Sequence, residues 1–500
     1  MNSLFNSEES LNLSLEEFQE SYLKRAFLTK VYFYYINDGF NNIILKELMH
    51  IFTSSFLIFY TIFLYNCVDW NLIFTISEKT KLKDLINLSH YFKLNIFNWG
   101  LFLIFIFITI CKIIGLVNSF KDYKFIKKFY NDTLKINDNE LNLTKWNTII
   151  SKFKEEYKNN DINIYYINHK IACKDNYLIT IMNKDILNLS YITTIMEWNI
   201  VFCILNSIFD KDIKYNKKFL NNDKVFIQSI KYKLTFIAML NFIFMPFIFM
   251  YILFYYLFKY GEKFYSNPSY IITRNWTLMA RWKLRNYNEL YHEYSKKFIM
   301  SQKPCNEYSN LYPNKILTTI NKFLVFILSS IFVVLVFISI INERILINLY
   351  ITHNKQTIWF IGIIGSFIAI LKKNIIETVP DYPKEKMETL KYHINCIPEQ
   401  WLKNTQNKNK DFFNYYQLQY LILLKDFYYT LMIPFELYKM SLNTKNIMIY
   451  LNSITINTSY GHTNKFSLFY DDMNTSEIVD DKKQYSLETF KRNNDINILV

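Results

Sequence analysis

Between Asn267 and Tyr294 the chain reads NPSYIITRNWTLMARWKLRNYNELYHEY. Arg274, Arg281, Lys283 and Arg285 arrive close together, and Asn288, Glu289 and His292 follow. Guanidinium groups match phosphate geometry in a bidentate way, so this spacing suits an anionic partner. At a period of 3.6 the stretch predicts one amphipathic helix. Trp276, Ala280, Leu284, Tyr287 and Tyr291 fall on one face, with Arg274, Arg281, Arg285, Asn288 and His292 opposite. Two readings compete. The polar face is a solvated surface with local pairs such as Arg285–Glu289 at i,i+4, or it meets lipid headgroups and lines a path for them. Lys259, Glu262 and Lys263 lie just upstream, and Lys425 and Asp426 interrupt a later apolar stretch, so all belong with the path candidates. An ionisable pair at bilayer depth is costly unless it is paired or faces water.

Covalent chemistry has no foothold. G-x-x-x-x-G-K-[ST], G-x-S-x-G, H-E-x-x-H and G-x-G-x-x-G are all absent. Seven glycines leave little room for phosphate-cradling loops, and seven scattered histidines and six cysteines without CxxC spacing form no metal cluster. No cofactor, metal or catalytic residue is expected. The net charge of +14 comes with a chain rich in Asn, Lys, Ile, Phe and Tyr, and no nucleic-acid motif accompanies it.

The elements that must position these residues are apolar. Uncharged blocks run over 51–68, 94–111, 234–258, 323–341 and 356–371. A spanning helix needs roughly 20 apolar residues, so the pattern is that of a polytopic membrane protein. The polar, acidic first fifty residues hold no basic n-region leading into an apolar segment, so the first block is expected to act as its own insertion signal. Loop 69–93 is nearly neutral and carries the sequon Asn87-Leu88-Ser89, which places it on the lumenal side. The stretch 259–322 holds eleven Arg/Lys against four Glu, which marks the cytosolic side. A simple span at 234–258 would put that stretch on the wrong side. Pro246 lies in the middle of the block, so a re-entrant hairpin is expected there instead. Residues 412–435, broken by Lys425, Asp426 and Pro434, read as a second re-entrant or interfacial segment.

Residues 241–294 resemble the signature of the autophagy-related protein 9 family. A Pro-centred apolar block is followed by an N-P turn, an Arg-x-Trp and a basic element ending at Tyr287, Asn288, Glu289, Leu290, Tyr291 and His292. VYFYYINDGF (31–40), NCVDWNLIF (66–74), NYLITIMNKDIL (176–187), TTIMEWNIVFCI (193–204), HINCIPEQW (393–401) and TINTSYGHTNKFSLFYDD (455–472) agree in order. There are departures. Gly461, His462, Thr463 and Asn464 replace the family's G-D-x-C. Tyr265, Ser266 and Asn267 stand where many members carry charges, which puts the charge lining of a lipid path in question. Little of the family's long disordered tail is expected.

The resemblance implies an all-α membrane protein with four transmembrane helices, two re-entrant segments and cytosolic helical lobes, assembled as an interlocked homotrimer with both termini cytosolic. It implies a phospholipid scramblase that works without an energy source or covalent chemistry. Its site would be autophagosome or related organelle membranes, on Golgi- or endosome-derived vesicles and the pre-autophagosomal membrane. Its implied partners are phospholipids, a lipid-transfer protein of the autophagy-related protein 2 type and autophagy-initiation factors, with no nucleic acid. The competing classes are a membrane scaffold that recruits autophagy factors, and a channel or transporter. The expected organisation is a disordered tail to 26, a transmembrane pair in 27–117, a lobe in 118–233, and the re-entrant segment with its basic helix in 234–322. A second transmembrane pair in 323–371, a C-terminal region in 372–470 and a disordered tail in 471–500 complete it.

Overall fold

The computed structural model describes residues 25–75, 85–87, 96–157, 163–209, 214–312, 315–342, 344, 349–352, 355–375, 383–398, 401, 409–458, 461–469 and 481–494. Helix dominates. Helix α1 (Arg25–Ile36) leads into α2 (Phe40–Asn66), and α3 (Ile96–Lys128) packs along α2. The short helices α4 (Trp146–Tyr157), α5 (Ile164–Ile171), α6 (Cys173–Asn183) and α7 (Thr194–Ile200) follow. A second apolar pair is built from α11 (Lys315–Ile341) and α12 (Thr357–Lys373), joined by a small ribbon of β2 (Tyr350–Thr352) and β3 (Lys355–Gln356). Each of the four expected spans thus coincides with a helix. Among the described residues, α11 and the 43-residue α8 (Lys224–Ser266) are long and apolar enough to cross a bilayer. The expected lumenal loop falls largely outside the described residues, as does most of the polar loop at 404–410.

Helix α8 corrects the first expectation. No turn occurs at Pro246, and α8 runs on unbroken for about 64 Å at 1.5 Å per residue. One proline removes one backbone donor, and the rest of the ladder persists on either side of the exposed Pro246. Its packing partner is α14 (Gln419–Leu442), itself unbroken through Pro434. The two helices lie antiparallel. Phe242 meets Phe435 at 6.3 Å between ring centroids, and Phe249 meets Phe427 at 5.7 Å. The chain turns back later, at Asn267. The Asn267 side chain accepts from the Ser269 amide, Pro268 opens a short 3-10 turn, and Tyr270 stacks on Tyr260 at 6.0 Å.

The expected amphipathic helix over 274–292 is also corrected. Arg274–Trp276 is a strand, β1, paired antiparallel with β4 (Tyr416–Leu418). The Thr277 hydroxyl accepts from the Ala280 amide and starts a new six-residue helix, α9 (Leu278–Lys283). A buried turn follows in which Asn288 holds φ 58°, a left-handed conformation that Asn tolerates better than most residues. Helix α10 (Tyr291–Asn310) begins only after it. Helical periodicity was present, but the cap at Thr277 and the turn at Asn288 cut it into pieces.

Three clusters form the core. Lobe 118–233 does not close on itself. Tyr177, Ile200 and Phe226 share a core with Met279 and Trp282, and also with Leu437 of α14 and Ile447 and Leu451 of α15 (Thr444–Ser453). Phe27, Leu28 and Val31 of α1 pack on Ile126 and Tyr130 in a second cluster. Trp276 and Tyr416 join Leu390 of α13 (Pro383–His393) and Phe412 in the third. The hairpin of β5 (Thr455–Thr458) and β6 (Gly461–Asn464) closes the lobe. The tail expected to be disordered contains α16 (Asp481–Asn493). Its Ser486 accepts from the Tyr287 amide at 3.1 Å, and Phe490 is buried. A polar sequence supports a docked helix here because a few small and aromatic side chains at helical spacing meet a preformed surface.

Candidate functional site

The residues singled out from the sequence separate into two groups. Arg285, Asn288 and Glu289 come together inside the lobe. Arg285 is 5% exposed, donates to Asp175 Oδ2 at 2.7 Å and to the Glu289 carbonyl at 3.0 Å, and lies over the Trp282 and Tyr294 rings. Glu289 accepts from Lys297 Nζ at 2.7 Å and from the Asn286 amide at 2.9 Å. Asn288 is sealed from solvent. Its amide donates to Asn176 Oδ1 at 2.9 Å, its side-chain nitrogen donates to the Ser467 carbonyl at 2.7 Å, and its Oδ1 accepts from Asn176 Nδ2 at 2.8 Å. His169 Nδ1 lies 3.0 Å from the same oxygen. This network ties α5, α6, the turn at 284–290 and the 3-10 turn after β6 (Lys465–Ser467) into one unit. The Arg–Asn face read as a headgroup surface is therefore mostly spent on folding.

His292 Nδ1 lies 2.9 Å from the Tyr32 hydroxyl, which fastens α10 to α1. Burial lowers His292 to about 4 and His169 to about 3. Burial, reinforced by Glu289, raises Glu293 from 4.5 to about 7. The signs follow from linkage. The histidines take up protons in the unfolded chain first, so their contributions fall as pH drops below 6.5. Glu293 keeps its proton longer in the folded chain, so its contribution falls as pH rises from about 4.5 through about 7. Glu293→Gln is expected to remove only the second trend. The gain in thermal stability over the parent should be larger at pH 8 than at pH 5. The shift corresponds to roughly 3 kcal/mol as a ceiling, reduced by partial exposure of the side chain. Equal differences at the two pH values would contradict this assignment.

The second group lies along the seam between α8 and α14. Tyr191 and Tyr256 donate to the two oxygens of Asp426 at 2.9 and 3.0 Å. Lys425 faces the Tyr191 ring at 6.0 Å, and Tyr191 stacks on Tyr429 at 4.8 Å. Further along α8, Lys259 lies over Tyr255 and Tyr260, and Lys263 over Tyr260 and Tyr270. Glu262 is exposed nearby. Arg274 lies over Phe413 at 4.8 Å and donates to the Tyr416 carbonyl at 3.4 Å, while Arg281 is half-buried with its Nε unpartnered. Phe236, Met239, Phe242 and Ile243 on α8, and Leu424, Tyr428 and Phe435 on α14, are exposed beside this seam. A polar, aromatic seam thus runs between two helices with apolar outer faces. Tyr191, Tyr256 and Tyr429 were missed from sequence, because tyrosine is abundant throughout this chain and only the fold selects these three.

Segments before and after α8 are bonded to each other. Asp175, Asp185 and Glu197, all upstream of α8, pair with Arg285, Lys283 and Trp282 downstream of it.

Residues 25–470 match the family model described as "Autophagy protein ATG9". The chain is similar to autophagy-related protein 9 of Candida glabrata, 27% identical over 82% of this chain and 47% of that one. It is 29% identical to that of Pichia angusta over 83% and 50%, and 26% identical to that of Dictyostelium discoideum over 82% and 61%. The chain spans about half the length of most of these relatives. In fold it is similar to the cryo-EM structure of Schizosaccharomyces pombe Atg9, with a TM-score of 0.68, 23% identity, and coverage of 91% of this chain and 99% of that one.

Proposed function

Because the chain belongs to the autophagy-related protein 9 family, we propose that it equilibrates phospholipids between leaflets without an energy source during growth of an autophagic or related organelle membrane. The observation that carries this reading is the seam of Asp426, Tyr191, Tyr256 and Lys259 between α8 and α14, bordered by exposed apolar faces. Carrying a headgroup through hydrocarbon costs several kcal/mol, because its polar atoms lose their hydrogen bonds. Such a seam replaces those bonds while the acyl chains stay in lipid. In this reading α8 and α14 enter the bilayer together and do not cross it, because the flanks of α8 share one lobe. The pairs α2–α3 and α11–α12 are the four spans. A homotrimer covers part of the exposed apolar surface, both termini face the cytosol, and a lipid-transfer protein supplies or removes lipid at the cytosolic face. A channel or a pure scaffold is the competing reading.

The deciding experiment is dithionite bleaching of fluorescent lipid in liposomes carrying the purified protein. Complete bleaching without ATP supports the proposal, and protection of the inner leaflet as in empty liposomes overturns it. The topology has its own test. Single cysteines at positions 218 and 296, exposed and on either side of α8, should be labelled from the same face of sealed vesicles. Labelling from opposite faces would make α8 a full span.

A further inference from the structure

A cavity of about 450 Å³ opens between the lobe, the β1–β4 ribbon and the start of α14. That size falls within the range of small-molecule sites. Its lining combines three kinds of group. Lys283 and Lys425 supply positive charge, Ser190 and Tyr429 supply hydroxyls, and Gln417 and Asp411 supply acceptors. Lys283 is shared with Asp185 at 2.7 Å, whereas Lys425 meets only the Tyr191 ring and has no carboxylate partner among the described residues.

Gln417 is the informative residue. It is 6% exposed, its Nε2 donates to the Asn414 carbonyl, and its Oε1 has no hydrogen-bond partner. A buried acceptor left empty costs about 1–3 kcal/mol, so a chain that keeps one beside a cavity leaves it for a donor from outside. Lysines ask for an anion, and the Gln417 carbonyl and Asp411 carboxylate ask for an N–H or O–H donor.

We propose that this cavity binds a phosphodiester or phosphomonoester that also carries an amine, the chemistry of a glycerophosphoethanolamine headgroup. The phosphate sits between Lys283 and Lys425 with the Ser190 and Tyr429 hydroxyls, and the ammonium donates to Gln417 Oε1 and Asp411. The inference rests on the lipid-moving reading, and adds to it a headgroup preference located beside the seam at Asp426. The cavity admits either a membrane lipid or the free phosphoester.

The test uses the full chain in detergent micelles, where no transbilayer movement contributes. Calorimetric titration with glycerophosphoethanolamine should show saturable binding. Glycerophosphocholine, whose quaternary nitrogen donates nothing, should bind about tenfold more weakly, the loss of one good contact. Lys425→Ala should weaken binding by at least the same factor, and Lys425→Arg should restore most of it. Gln417→Ala should reduce the preference for ethanolamine over choline, and Gln417→Ala with Asp411→Ala should abolish it, while phosphate-driven binding stays in place. If Gln417→Ala does not fold, the choline comparison and the Lys425 pair still decide. A second arm places the protein in nanodiscs of phosphatidylethanolamine or phosphatidylcholine and identifies retained lipid by native mass spectrometry. Retention of the ethanolamine lipid assigns the source to the membrane, and headgroup binding without retention assigns it to a free phosphoester; both support the site. Equal affinity for the two headgroups and inorganic phosphate, no binding at all, or indifference to Lys425→Ala overturns it. Scrambling can fail while this binding holds, so the two proposals fall separately.

Discussion

Lys297→Met is expected to destabilise the protein by about 3–5 kcal/mol, the usual cost of stripping one partner from a buried ion pair. Lys297 and Glu289 are 7% and 4% exposed at their side chains and lie 2.7 Å apart. Without the ammonium, Glu289 keeps the Asn286 amide as a donor but loses its counter-charge, and the Leu284 carbonyl loses its donor as well. A typical domain has about 5–15 kcal/mol in total, so the variant should melt far earlier or fail to assemble. The double change Lys297→Met with Glu289→Leu removes both charges and should recover a large share of the loss. Thermal melts of the two variants in detergent make the comparison. A double variant no better than the single one would mean that the hydrogen bonds of Glu289, not its charge, hold the turn. Equal stability of Lys297→Met and the parent would remove the network from the account altogether.

This network also explains what was legible in the sequence. The apolar blocks announced helices at each expected span, because an uncharged run of that length has few other uses. The ordered motifs led to the family without a structure. The role of the basic stretch did not follow, because periodicity counts side chains but not caps. Trp276, Ala280 and Leu284 do enter a shared core as the wheel required, yet they enter it from a strand, a short helix and a turn. Arg285 and Asn288 lie opposite that core on the wheel and would face solvent if the helix continued; the left-handed Asn288 turns them inward against α5 and α6. Their partners, Asp175, Asn176 and His169, lie more than a hundred residues upstream, where no local pattern connects them. Pro246 misled for a related reason. A proline deletes one donor from the helical ladder without forcing a turn, and α8 continues through an exposed Pro246.

Asp426 is where the seam is most exposed to test. Asp426→Leu is expected to slow lipid scrambling by about ten- to a hundredfold, since hydrogen bonds to a charged group are worth roughly 1.5–3 kcal/mol and each 1.4 kcal/mol is a factor of ten. Leucine removes the acceptor shared by Tyr191 and Tyr256 and leaves two hydroxyls facing an apolar side chain. Asp426→Asn keeps an acceptor oxygen and nearly the same volume, so it should retain most of the rate. Tyr256→Phe removes one of the two donors and should fall between them. All three changes leave the ring contacts Phe249–Phe427 and Phe242–Phe435 intact, so α8 and α14 should stay paired. Bleaching rates in liposomes, normalised to folded protein by gel filtration, order the series. Leucine slower than phenylalanine, and phenylalanine slower than asparagine, is the pattern of a polar lining that headgroups use. If all three match the parent, the cluster only holds the helix pair together and the lipid path lies elsewhere. If all three lose folded protein in proportion to rate, Asp426 belongs with Glu289 among the charges that the fold consumes.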